Sequence, residues 1–238
     1  MKHTLLVMLA GSILLFSCNP RYYMPNTHNV PLLTQKGETN ITASGAEGQY
    51  ELHAAHAVSN SISIMANGGL FKPAEMDNGD RGSGNFVELG GGYYKPFNNN
   101  LVLETFGLLG FGSMENRFPS TVDANPGTKG DISANIFRYG LQANFGYKTK
   151  YFEAAVSARF LNLLYNNIKG DLIYGGENQV AYLKDNKSNF LFEPALTIRG
   201  GLERLKLQLQ LGGSLNLTND DFFQENSFIT FGINFNIR

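Results

Sequence analysis

The chain has 238 residues and a formal charge of −1, so it has no basic surplus for neutralising a phosphate backbone, and no nucleic acid partner is expected. Twenty-seven glycines, 12% aromatic residues and no tryptophan suit one β-rich domain, and a single cysteine excludes a disulfide framework within the chain. The first segment stands apart. Lys2 precedes an apolar run from Leu5 to Phe16, broken only by Gly11 and Ser12 and followed by Ser17 and Cys18. These are the n-region and h-region of a secretory signal, too short to span a membrane, and residues 1–17 are expected to be removed.

Leu15, Phe16, Ser17 and Cys18 together resemble the bacterial lipobox. The resemblance implies that Cys18 is a lipidation site and the first residue of the mature protein, held on a membrane by two or more acyl chains. An ordinary signal followed by an unmodified cysteine is the alternative. Residues 18–37 space Pro20, Pro25 and Pro31 through polar neighbours and a Tyr22-Tyr23 pair, with no amphipathic period. They read as an extended tether with no role beyond reach.

From Glu38 onward the sequence alternates with period two, the signature of strands with one apolar and one polar face. Ten strands are predicted, roughly at 38–45, 49–58, 61–71, 85–96, 101–115, 132–147, 151–165, 189–201, 204–217 and 227–238. Gly45, Gly48 and several alanines dilute the first two, so eight strands also fits. The pattern is clearest where Leu205, Leu207, Leu209, Leu211, Leu215 and Leu217 alternate with polar residues, and where Ile229, Phe231, Ile233, Phe235 and Ile237 do the same. A last strand running to the chain end suits a closed antiparallel up-and-down barrel, residues 38–238, better than an open sheet.

The connections alternate in length. Those at 59–60, 97–100, 148–150 and 202–203 are tight, whereas 72–84, 116–131, 166–188 and 218–226 are long and polar. This sorts tight turns to one rim and long loops to the other, as periplasmic turns and external loops are sorted in a transmembrane barrel. The tether and Arg238 are expected on the tight-turn rim, which would put the lipid anchor on the periplasmic side.

Three features turn the apolar face outward to lipid. Most strands exceed the roughly 9–11 residues needed to cross a bilayer. The polar face is built of small polar residues with almost no lysine, Lys206 being the exception. Aromatics gather near strand ends, with Tyr93, Phe145, Tyr147, Phe152 and Phe235 toward the tight rim and Phe71, Phe111, Phe137, Phe190 and Phe192 toward the loops, as in interfacial girdles. A soluble lipocalin-like lipoprotein, with the leucines of 205–217 inside, is the alternative.

On these residues, 38–238 resembles the small outer-membrane β-barrel superfamily of Gram-negative bacteria, and lipobox plus barrel resembles an outer-membrane lipoprotein. Superfamily members commonly end in an aromatic residue, whereas this chain ends in Ile237-Arg238. The resemblance implies outer-membrane lipid, lipopolysaccharide and the barrel-insertion machinery as partners. It fixes no activity.

The polar parity carries Glu51, Glu88, Glu104, Arg138, Glu153, Arg159, Glu193 and Arg199. Isolated charges in a lumen are expensive, so an internal ion network is expected, with Arg159 beside Glu193 and Glu153 beside Arg199. A structural plug is the preferred reading of that network, and a selectivity filter or proton path is the alternative. Leu161, Leu163 and Leu191 fall on the inward parity near the long loops. They form either a candidate apolar mouth for a hydrophobic ligand or, by preference, a cap packed beneath the 166–188 loop. His53 and His56 point to opposite faces and cannot share a metal ion. The glycines at 79, 82 and 84 lack the strand-to-helix setting of a phosphate loop, and no helix is evident anywhere. No enzymatic function, cofactor or metal is expected; a structural or surface-interaction role leads, with a narrow channel or transporter as the alternative.

Overall fold

In the computed structural model, residues 20–76, 79–119 and 127–237 are described; the signal assigned to 1–17 and the lipidation assigned to Cys18 lie outside them. Seven strands come first: β1 (Thr39–Ala46), β2 (Gln49–Ala57), β3 (Ile62–Phe71), β4 (Arg81–Pro96), β5 (Leu101–Phe118), β6 (Gly130–Lys148) and β7 (Phe152–Gly170). The loop after β7 holds a small hairpin, β8 (Ile173–Tyr174) with β9 (Glu177–Asn178), and a helix, α1 (Gln179–Asp185). The chain returns through β10 (Ser188–Gly201), β11 (Leu205–Gly213), its short continuation β12 (Leu215–Asn216) and β13 (Ser227–Ile237).

Each long strand pairs antiparallel with its predecessor, and β13 pairs with β11 through Leu207 opposite Ile233 and with β1 through Thr42 opposite Asn234. That second pairing closes the sheet. With β11 and β12 forming one stave, the barrel has ten, and the eight-strand alternative falls away. A closed sheet leaves no unpaired strand edge, which a membrane demands of any spanning sheet. Among the described residues no helix is long and apolar enough to cross a membrane.

The alternation of side chains decides the orientation. Leu207 is 68% and Phe231 67% exposed on the outer surface, while Arg159 and Lys206 are each 1% exposed inside. The lipocalin-like alternative required the reverse. Tyr93, Phe145, Tyr147 and Phe152 ring the exterior near the tight turns, and Tyr50, Phe111 and Tyr139 lie toward the loops, so the barrel carries two outward aromatic bands. Phe71 is a correction: it faces inward, buried, with its ring 6.0 Å from that of Phe86. Gly68 and Gly69 just before it carry no side chain by which to read the parity. Gly212 shows why glycine recurs on the walls. A Cβ there would lie 2.3 Å from the Phe228 ring, so only glycine leaves room for it.

The connections 58–61, 97–100, 149–151 and 202–204 are tight and share a rim with the start of β1 and the end of β13. The strand ends joined by the connections 72–80, 119–129, 171–187 and 217–226 lie on the opposite rim, with one short exception at Glu47-Gly48, where Gly48 takes φ +69°. The helix α1 was not expected. Its N-cap is Asn178, whose side chain accepts from the Ala181 N–H at 3.0 Å, and its seven residues are too few to show a period.

The segment read as an external tether is extended but runs through the barrel interior. Tyr22 and Tyr23 sit among the long loops, Leu32 and Leu33 near the tight turns, and Gly37 donates to the Ala57 carbonyl where the chain turns into β1. The described chain therefore starts at the long-loop rim. The expected position of the tether on the tight-turn, periplasmic rim is corrected by this path.

Candidate functional site

Most of the buried polar residues among those described line the barrel interior, and two sets of residues meet there. The inward residues of the strands form the wall, and residues 20–34 form an axial strand. Tyr22 and Tyr23 bond backbone to backbone with Phe223 and Glu225 of the 217–226 loop; deeper in the ring of staves, wall side chains supply partners for the peptide groups.

At the long-loop rim Arg21 forms an ion pair with Glu225, and its peptide is clamped by Asn116, which accepts from Arg21 N at 3.1 Å and donates to Arg21 O at 2.9 Å. The Tyr22 hydroxyl donates to Gln179 of α1 at 2.7 Å, and its ring packs against Tyr182, Phe222 and Phe223. One residue on, Tyr23 donates its hydroxyl to Glu193 at 2.9 Å.

In the middle, Asn26 receives three guanidinium bonds: Arg138 reaches its side-chain oxygen at 2.9 Å, and Arg159 reaches the same oxygen at 3.0 Å and the carbonyl at 3.1 Å. Thr27 N–H donates to Glu51 at 3.0 Å. Gln210 treats His28 as a neighbouring strand would, accepting from its N–H at 2.6 Å and donating to its carbonyl at 3.1 Å. Gln142 donates to the Asn29 carbonyl at 2.7 Å.

Toward the tight turns, Leu33 N–H donates to Glu104 at 2.8 Å and Lys148 donates to the Leu32 carbonyl at 2.7 Å. Gly146 lets the axial strand approach the wall, since a Cβ there would stand 2.7 Å from a Leu32 methyl. Lys148 also pairs with Glu38 at 2.6 Å, and Thr34 donates to the same carboxylate through both N–H and hydroxyl. Burial by itself pushes the Glu38 carboxyl up, but the Lys148 ammonium and the two Thr34 donors outweigh it and hold the group below its usual range.

The wall charges are mutually compensated. Glu193 pairs with Arg159 at 2.6 Å and Glu153 with Arg199 at 3.0 Å, the two neighbours expected from strand register. Lys206 joins Glu153 at 3.2 Å, and Arg138 pairs with Glu88 at 2.9 Å while lying over the Phe86 ring at 4.3 Å. Glu104 departs from the expectation: it is buried in the lumen but meets Asn144 and the Leu33 N–H in place of an arginine. The sequence signal for these pairs was parity and depth. Nothing comparable marked Asn26 or Gln210, whose roles depend on a strand that has no register in the sheet.

Leu161, Leu163 and Leu191 are fully buried in one cluster with Tyr22, Tyr23, Tyr165, Leu183 and Phe222. They form no open apolar mouth; the axial strand and the loop residues cover them. His53 faces inward, its ring 3.0 Å from Glu51 and 3.2 Å from Asn67, whereas His56 meets Thr39 toward the outside. His28 lies 2.8 Å from the Ser157 hydroxyl, a pairing the sequence did not disclose. Both are buried, and among the described residues no partner meets the far ring nitrogen of His28. Among the described residues no group of three or more His, Cys, Asp or Glu is placed to hold a metal ion.

No family model matches the chain, and no curated protein matches it. Similar solved structures include the KdgM porin (10% identity, TM-score 0.39), a major outer membrane protein from Thermus thermophilus (10%, 0.40) and LpxR from Salmonella typhimurium (10%, 0.36). Each comparison covers 84% of this chain and 99% of the other. The chain's own strand pairing, rather than these likenesses, establishes the ten-stranded barrel.

Proposed function

We propose that this protein is a lipid-anchored barrel of the outer membrane with a structural or surface-interaction role, its lumen filled by its own axial strand and paired charges. One observation carries the reading. The run from Tyr23 to Leu33 bonds to inward residues from β2 round to β13, including Glu51, Glu104, Arg159, Glu193, Gln210 and Thr230. A ten-stranded barrel encloses little more than side-chain space, and a further strand along its axis uses that space. The apolar exterior supports burial in lipid, and the signal, the lipobox resemblance and the sorting of loops support an anchored outer-membrane protein. Lipid and lipopolysaccharide would surround the belt, and the long loops offer the contact surface.

Conductance in planar bilayers tests the reading. The purified protein is expected to give no current steps. A variant joining residue 19 directly to residue 35 is expected to conduct, and adding Arg138→Glu to that variant should shift its preference toward cations. Discrete steps from the unaltered protein would sink the proposal in favour of the narrow-channel reading.

A further inference from the structure

The direction of the axial strand fixes more than occupancy. Arg21 and Tyr22 are tied to the long-loop rim through Glu225, Asn116, Gln179 and the Phe223 carbonyl, contacts drawn from the 217–226 loop, the end of β5 and α1. The chain then descends past Glu193 and Gln210 to Lys148 before turning into β1. Residue 18 is two residues before Pro20 in the chain, and two residues span at most about 7 Å. The hydrocarbon layer is about 30 Å thick, and two residues cannot carry the chain back across it. The long loops of such a barrel face outward from the cell.

We propose that the chain enters its own barrel from the exterior face, so that the residues before Pro20 are displayed outside and the lipid assigned to Cys18 is held in the outer leaflet of the outer membrane. The anchoring half rests on the lipidation in the functional reading above; the sidedness rests on residues 20–34 alone. The barrel and its acyl chains then hold the same leaflet from two points, with the polypeptide between them passing through the bore. A periplasmic anchor would need residues 20–34 withdrawn from the lumen, leaving the Asn26 and Gln210 contacts unmade.

Sidedness and lipidation are read separately. A short epitope inserted after Asn19 is probed with antibody on intact and on permeabilised cells, beside control insertions in the tight turn at Ser59 and in the long loop at Asp220. The epitope at residue 19 is expected to be labelled on intact cells, as at Asp220, while that at Ser59 requires permeabilisation. Labelling at residue 19 only after permeabilisation overturns the inference. Should an insertion block assembly, Asn19→Cys with a membrane-impermeant maleimide asks the same question through a single side chain, and lack of reaction on intact cells is the overturning result. Incorporation of an alkyne fatty acid into the parent but not into Cys18→Ser decides lipidation. Surface display without fatty acid sustains the sidedness and removes the anchor; fatty acid without surface display does the opposite.

Discussion

Replacing Arg159 by methionine is the sharpest test of an interior held by compensated charge. The guanidinium meets Glu193 through Nε at 2.7 Å and Nη2 at 2.6 Å, with side-chain exposures of 1% and 0%. It also supplies two of the three bonds to Asn26. Methionine fills much of the volume and leaves a buried carboxylate facing only the Tyr23 hydroxyl. Breaking one side of a buried pair costs about 3–5 kcal/mol. Removing both sides, as Arg159→Met with Glu193→Leu, eliminates the stranded charge and leaves Tyr23 without its acceptor, a loss of about 1–3 kcal/mol. The double variant is therefore expected to be more stable than Arg159→Met alone, with strong coupling between the sites. Urea unfolding in lipid vesicles, with the folded fraction read from heat-modifiable gel migration, measures all three. The rim pair Lys150–Glu203, 3.3 Å apart and about half exposed, serves as comparison, and Lys150→Met should cost no more than about 1 kcal/mol. A cost below about 1 kcal/mol for Arg159→Met, or strictly additive losses in the double variant, would refute the reasoning.

Other expectations follow from neighbouring contacts. Gln210→Ala strands the N–H and the carbonyl of His28 and should cost about 1–3 kcal/mol by the same urea assay, and less in the variant joining residue 19 to residue 35, where only the Thr197 contact is lost. Gly146→Leu drives a side chain into Leu32 and should cost about 1–3 kcal/mol while raising the frequency of bilayer current steps. Leu141→Arg places a charge on the lipid face, where Leu141 is 66% exposed, and should cost about 2–4 kcal/mol in vesicle refolding; a neutral result would contradict the outward orientation. Glu38 is held below its unfolded range, so its contribution is present above the unfolded pKa near 4.3 and is lost as pH falls through the folded value. Thermal melting from pH 7 to pH 3 should show that loss, and Lys148→Met should flatten it.

Much of the barrel was legible because period-two sorting is local. The alternation around Leu207 and Phe231 marks their strands and, with the loop lengths, the two rims, while strand length, the small polar lining and the aromatic bands point the apolar face outward. The pairs Glu193–Arg159 and Glu153–Arg199 followed from parity and depth on adjacent staves. The axial strand was illegible for a physical reason. Its peptide groups are bonded by Asn116, Gln210 and Lys148, residues 95, 182 and 116 positions away, so its own sequence, with prolines spaced through mixed residues and no regular period, reads as a tether would. Parity places Glu104 in the lumenal ion network, but its partners include the backbone N–H of Leu33, which parity and depth on the wall do not reveal. Phe71 was misplaced where glycines erase the alternation, and α1 was too short to register.

The closing seam joins Asn40 to Asn234, side chains 194 positions apart, beside an axial strand covalently continuous with β1. The ring that this seam completes encloses residues 20–34, which precede every stave in the chain. Asn26, His28 and Leu32 are each held by wall side chains from different staves, so the bore is lined and filled by one continuous polypeptide.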